Sequence, residues 1–114
     1  MEILIFLAFT QEIWRQVKRY PNYEISNYWK IRHIKNRKER KLFKKNWYFF
    51  IQLKAPKNEY IHRLVCEAFN PRPKPYKSYN YVNHKNLNKH DNTSHNLEWV
   101  TQATNIQHYH VNKK

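Results

Sequence analysis

The stretch Tyr81-Val82-Asn83-His84-Lys85-Asn86-Leu87-Asn88-Lys89-His90-Asp91-Asn92-Thr93-Ser94-His95-Asn96-Leu97-Glu98-Trp99-Val100-Thr101 decides how this chain is read. From Tyr81 to Asn96 it is rich in Asn and His and poor in hydrophobes. Leu97 to Thr101 reads as a short strand whose Leu97 and Trp99 anchor a core. A packed segment gains little from so many polar groups, since each needs a hydrogen-bond partner once buried. Concentrated between two packed segments, they point to a site. Thr101-Gln102-Ala103-Thr104 then opens a final helix that carries Asn105, His108 and Tyr109.

Upstream, Ile61 to Phe69 places apolar residues at 61, 64, 65, 68 and 69, the stripe of an amphipathic helix. Asn70-Pro71 stops it, Pro73 and Pro75 imply an extended loop, and Cys66 reads as a small, semi-buried helix residue. Further back, Glu12 to Leu53 is β-rich. Tyr23 to Ser26 and Trp29 to Ile34 both alternate, with Ser26-Asn27 as the turn between them. Trp47, Phe49, Ile51 and Leu53 fall on one face of a later strand, and Tyr48, Phe50, Gln52 and Lys54 on the other. Between these strands, seven of the eleven residues from 35 to 45 are basic: Lys35, Arg37, Lys38, Arg40, Lys41, Lys44 and Lys45. They predict a hairpin with a positively charged tip, suited to a phosphate backbone.

The composition bounds the partners. A chain of 114 residues holds one compact domain or two small modules sharing a core. It has 22 Lys+Arg against 8 Asp+Glu, a net charge of +14 that attracts polyanions, of which nucleic acid is the commonest. Drift towards Lys and Asn explains part of this, but not the shortage of acids. No glycine is present, which excludes a glycine-rich phosphate loop. The single Cys66 has no disulfide partner in the chain and makes no cysteine-based zinc site; a reducing, intracellular setting is expected. His90 and His95 lack cysteine partners for zinc. The apolar run Ile3 to Phe9 lies in an N-terminal arm over residues 1–11. It falls far short of the roughly 20 residues that cross a bilayer. With Glu2 where a signal peptide is basic, no secretion signal is expected.

The order His62-Arg63-Leu64-Val65, Ala68-Phe69, Pro71, Val82-Asn83-His84, Asn88-Lys89, Asn92, Asn96-Leu97-Glu98-Trp99-Val100-Thr101, Asn105 resembles the HNH endonuclease family, in particular its short phage and intron homing type. The stretch from Glu12-Ile13-Trp14 through Tyr23-Glu24-Ile25-Ser26-Asn27 to Ile34 resembles the nuclease-associated β module that often precedes it. The resemblance implies an α+β fold: a small antiparallel β module over 12–56, then a helix and a ββα-metal (His-Me finger) motif within 57–114. Spacing agrees, with twelve residues from His84 to Asn96 and nine from Asn96 to Asn105. It also implies metal-dependent hydrolysis of a DNA phosphodiester. His84 would be the general base. Asn96 would pin the loop that aims it, and Asn83 and Asn105 would hold one divalent metal, Mg²⁺ or Mn²⁺. Arg63 would be a phosphate contact beside the basic hairpin. Double-stranded DNA is the partner implied, and a monomer the simplest state.

Two residues depart from the family's usual pattern. Asn83 stands where Asp is common, which leaves the implied ligand set neutral. Leu87 stands where a D-G turn is common; if the turn needs φ > 0, Leu87 is strained by roughly 1–2 kcal/mol. The competing readings are therefore an HNH-like DNA-binding protein of little or no activity and, more distantly, a basic RNA-binding protein.

Overall fold

A computed structural model describes residues 11–105; all of the expected N-terminal arm but Gln11, together with His108 and Tyr109, lies outside them. Among the described residues, eight strands and a nine-residue α-helix follow in the order β1 (Trp14–Gln16), β2 (Tyr23–Ser26), β3 (Ile31–His33), β4 (Phe43–Lys45), β5 (Tyr48–Lys54), β6 (Lys57–Tyr60), α1 (Ile61–Phe69), β7 (Tyr81–His84) and β8 (Leu97–Val100). A 3₁₀ turn, Ser94–Asn96, precedes β8, and a helical turn over 102–105 follows it. This is the expected α+β class.

All strand pairing is antiparallel: β1-β2-β3 in one sheet, β4-β5-β6 in a second, and β7-β8 as a two-stranded ribbon. A two-stranded ribbon is marginal alone and needs something to pack on. That support is α1, whose Ile61, Leu64, Val65 and Cys66 are buried against Val17, Ile25 and Ile31 of the first sheet region, Ile51 of β5, and Leu97 and Trp99 of β8. The helical stripe read from the sequence is therefore the centre of one shared core. The expected division at 56/57 falls between two paired strands, β5 and β6, so both modules share a sheet as well.

Polar links tie α1 to the ribbon. Asn70, at the helix C-terminus, donates from Nδ2 to the carbonyls of Ser94 (3.0 Å) and Leu97 (2.9 Å), and its own carbonyl accepts Trp99 Nε1–H (2.9 Å). Ser94 N–H in turn donates to the Asn27 carbonyl (3.0 Å), joining the loop before β8 to the first sheet. The β module is braced by charge: Arg19 bonds Glu59 through both terminal nitrogens and also reaches Glu67, while Arg32 pairs with Glu24 and lies over the Trp14 ring.

Several local expectations change. No hairpin joins β3 to β5, which belong to different sheets. Residues 35–45 instead comprise a tight turn after β3, a bridge between Arg32 and Glu39, and β4, which hairpins onto β5. Trp47 is not on the strand face with Phe49, Ile51 and Leu53. It sits in the β4–β5 turn at φ 75 and is 68% exposed, following Asn46 at φ 52. Two-residue turns between twisted strands need consecutive left-handed residues, usually Asn-Gly. Without glycine, the chain uses Asn-Trp. After α1 the proline segment turns back, Ser78 N–H donating to the Pro75 carbonyl, rather than running extended throughout. Cys66 is fully buried, and that burial pushes its thiol up to about 11.

Candidate active site

The β7–β8 ribbon carries Asn83 and His84 of the residues picked out in the sequence, with Asn96 just before β8 and Asn105 after it. Its register places Tyr81 opposite Val100, Val82 opposite Trp99, Asn83 opposite Glu98 and His84 opposite Leu97. Val82, Leu97 and Trp99 pack against the core. Beyond His84, the chain leaves the ribbon through a loop built on asparagine side chains.

His84 is 6% exposed, and its Nε2 lies 2.7 Å from Asn92 Oδ1. The Asn92 amide is oriented with Oδ1 to the ring; an amide oxygen only accepts, so that orientation goes with a proton on Nε2 and a lone pair on Nδ1, while Asn92 Nδ2 is buried without a partner among the described residues. Burial holds the His84 imidazole below its ordinary value, against the bond from Asn92 and the field of Asp91, which favour the charged form. His62, at the start of α1, packs its ring 5.3 Å from that of His84. Burial, the neighbouring His84 and Arg63 push His62 down to about 3, so it is neutral at cellular pH. Tyr48 of β5 stands 5.2 Å from the His62 ring and 6.3 Å from that of His84. The β module thus forms one wall around the histidine.

Asn96 does not touch His84 in the described hydrogen-bond network; it ties the loop to itself. Its Nδ2 donates to Asn86 Oδ1 (3.0 Å) and to the Asp91 carbonyl (2.7 Å), and its Oδ1 accepts Asn86 N–H (3.1 Å). Asn86 Nδ2 donates to Asp91 (2.9 Å), and Asp91 Oδ1 accepts both the N–H and the hydroxyl of Thr93. Those donors keep the Asp91 carboxyl below its usual range, although its partial burial pulls the other way. The turn after His84 closes with Leu87 N–H donating to the His84 carbonyl (3.0 Å), and Leu87 takes φ 66 with its side chain 52% exposed. The left-handed turn expected there is present, and Leu87 carries the strain.

Of the two implied metal ligands, Asn83 is half-buried on β7 and donates from Nδ2 to Glu98 Oε1 (3.0 Å). Because a carboxylate only accepts, the amide is fixed with Oδ1 as its uncommitted atom. Asn105 lies in the helical turn after β8, half-buried, its N–H donating to the Thr101 carbonyl (2.9 Å). The Thr101 hydroxyl accepts Thr104 N–H (3.2 Å), the arrangement of a helix N-cap. No cluster of three or more His, Cys, Asp or Glu able to hold a metal occurs among the described residues.

The basic residues divide. Lys35, Arg37, Lys38, Lys41, Lys44 and Lys45 are exposed, with no ion pair among the described residues. Arg40 is not a free contact: its guanidinium donates to Tyr23 Oη (2.9 Å) and the Gln52 carbonyl (3.3 Å), joining the first two sheets. Arg63 is likewise engaged, donating to the carbonyl (2.8 Å) and side-chain oxygen (2.7 Å) of Asn80 while lying over the Trp99 ring. Two residues do not stand out in the sequence as site members. Asn92 belongs to the motif but shows its role only through its bond to His84, eight residues away. His62 likewise belongs to the matching stretch His62-Arg63-Leu64-Val65 but carries no assigned role there. Lys89 is a further cation beside the site, its ammonium 5.2 Å from the centre of the Tyr48 ring.

A β-ribbon with a buried histidine at its end, an asparagine-pinned loop and a helix following resembles the HNH type of module. Residues 59–107 match the HNH endonuclease family model, and residues 12–54 match the NUMOD4 motif. The chain's homologues are HNH endonucleases. It is 38% identical over 98 residues to the uncharacterized HNH endonuclease L245 of Acanthamoeba polyphaga mimivirus, covering 83% of this chain and 29% of that protein. It is 36% identical over 99 residues to DNA endonuclease I-HmuI of Bacillus phage SP01, covering 82% of this chain and 55% of the phage protein. The solved structure of the HNH homing endonuclease I-HmuI, described for its DNA binding and cleavage, superposes with a TM-score of 0.70 at 32% identity. That match covers 87% of this chain and 58% of the phage chain. The chain thus spans under a third of the viral relative and little more than half of the phage one.

Proposed function

We propose that this chain is the cleavage module of a metal-dependent DNA endonuclease that hydrolyses a phosphodiester bond in double-stranded DNA. The observation that carries this reading is His84, buried at the end of the ribbon with Nε2 against Asn92 Oδ1, an arrangement that leaves Nδ1 to act as the base. Through Nδ1 it takes the proton of the attacking water. Asn96, by fastening Asn86 and Asp91, keeps the turn after His84 in one conformation, so that the imidazole is held in place before substrate arrives.

The donor set suits a hard divalent cation such as Mg²⁺ or Mn²⁺, because Asn83 keeps an amide oxygen free and Asn105 offers another. Asn83 and Asn105 would hold it, and bound there it would supply charge stabilisation at the scissile phosphate and the leaving 3′ oxygen. Lys35, Arg37, Lys38, Lys41, Lys44 and Lys45 supply the salt-sensitive grip on the DNA backbone.

The test is nicking of supercoiled plasmid. Wild type is expected to nick it with Mg²⁺ or Mn²⁺ and to spare it in EDTA. Plasmid that stays intact across metals while the chain still binds DNA would leave only the DNA-binding reading.

A further inference from the structure

We propose that Glu98 supplies the anionic oxygen of the metal site that Asn83 lacks, moving its charge from β7 to the facing strand β8. The inference rests on the metal-nuclease reading above. Paired residues of an antiparallel ribbon project from the same face. The register therefore puts the Glu98 carboxylate on the side of Asn83, and the 3.0 Å bond from Asn83 Nδ2 to Glu98 Oε1 brings the two groups into contact.

Among the described glutamates, Glu12, Glu39 and Glu98 have no ion pair, and of these Glu98 alone lies on the ribbon, opposite Asn83. Glu24, Glu59 and Glu67 each pair with an arginine, and Asp91 is engaged by Asn86 and Thr93 within the loop. Glu98 is half-buried yet has no ion pair among the described residues, in a chain with 22 Lys+Arg. Its second oxygen has no hydrogen-bond partner among them either. A carboxylate partly removed from water calls for a countercharge. A divalent cation held by Asn83 Oδ1 would meet that need and would itself gain a charged oxygen ligand. The two side chains would then divide the work of one aspartate: Asn83 gives a neutral oxygen to the cation, and Glu98 orients that amide and gives the charge.

Glutamine at position 98 separates the two roles, since its amide oxygen still accepts from Asn83 but carries no charge. Mn²⁺ titrations followed by electron paramagnetic resonance, on the whole chain, read binding without any cleavage. Wild type is expected to bind saturably, and Glu98→Gln about tenfold or more weaker. The exchange Asn83→Asp with Glu98→Gln, which returns the charge to β7, is expected to restore the affinity. Glu98→Gln binding as tightly as wild type would overturn the assignment, as would a double variant as weak as the single. Absence of saturable Mn²⁺ binding by wild type itself would sink the metal-nuclease reading beneath it.

Discussion

The β module and the β7–β8 loop are held together by different chemistry. In the first, guanidinium groups do the bracing: Arg19 to Glu59 and Glu67, Arg32 to Glu24 and Trp14, Arg40 across two sheets. In the second, neutral amides do it, with Asn86, Asn92 and Asn96 arranged around one histidine. Exposed charge tolerates movement, because long-range attraction needs no fixed geometry, whereas amide bonds act only at contact distance and in line. Under the proposed function, the module that would grip a repetitive backbone carries exposed charge, and the loop that would aim one nitrogen is built on short, directional bonds.

If that contrast holds, the largest single effect lies in the charged region and is graded. Changing Lys35, Arg37, Lys38, Lys41, Lys44 and Lys45 together to Gln should flatten the plot of log affinity against log salt by about 0.9 for each phosphate no longer neutralised. At roughly 0.2 M salt the accumulated weakening should reach about a thousandfold. Binding isotherms over a salt series check it, and an unchanged slope would place the DNA-binding surface elsewhere. In the amide region one substitution should suffice. Asn96→Ala removes the ties to Asn86 and Asp91, leaves buried partners unpaired, and should lower stability by about 2–4 kcal/mol in urea unfolding.

The packed histidines give the contrast a pH signature. His62 is held down to about 3 in the folded chain, while the unfolded side chain takes up a proton near about 6.5. Below that pH the unfolded state binds more protons, so stability should fall as the solution is acidified through the window from about 6.5 to 3. His62→Leu should make the urea midpoint less dependent on pH there; a slope equal to that of wild type would refute this. The smallest effect concerns strain. Leu87→Gly should release the left-handed penalty of roughly 1–2 kcal/mol, offset by glycine's greater backbone entropy, for a net gain of up to about 1 kcal/mol in the same urea unfolding.

Local signals in the sequence carried far. The stripe from Ile61 to Phe69 located the central helix, the alternation of Tyr23 to Ser26 a strand, and Leu97 with Trp99 the anchor of β8. The strain at Leu87 was legible as well, because a left-handed position without glycine can only be filled by a residue that resists it. What stayed hidden depends on partners distant in sequence. Arg40 and Arg63 look like free cations until Tyr23 and Asn80, each 17 residues away, take up their donors. Trp47 fits a strand by alternation, but the twist of β4 on β5 needs a left-handed pair at the turn and takes it. His62 and Asn92 converge on His84 only once helix, loop and ribbon have packed.

The division of labour between the two regions is tested most directly by measuring DNA binding and plasmid nicking side by side on wild type and His84→Ala. The expected result is DNA affinity within about twofold of wild type, with metal-dependent nicking lower by roughly 10²–10⁴-fold. Nicking by His84→Ala at the wild-type rate, or disappearance of binding and nicking together in a variant that remains folded, would contradict it.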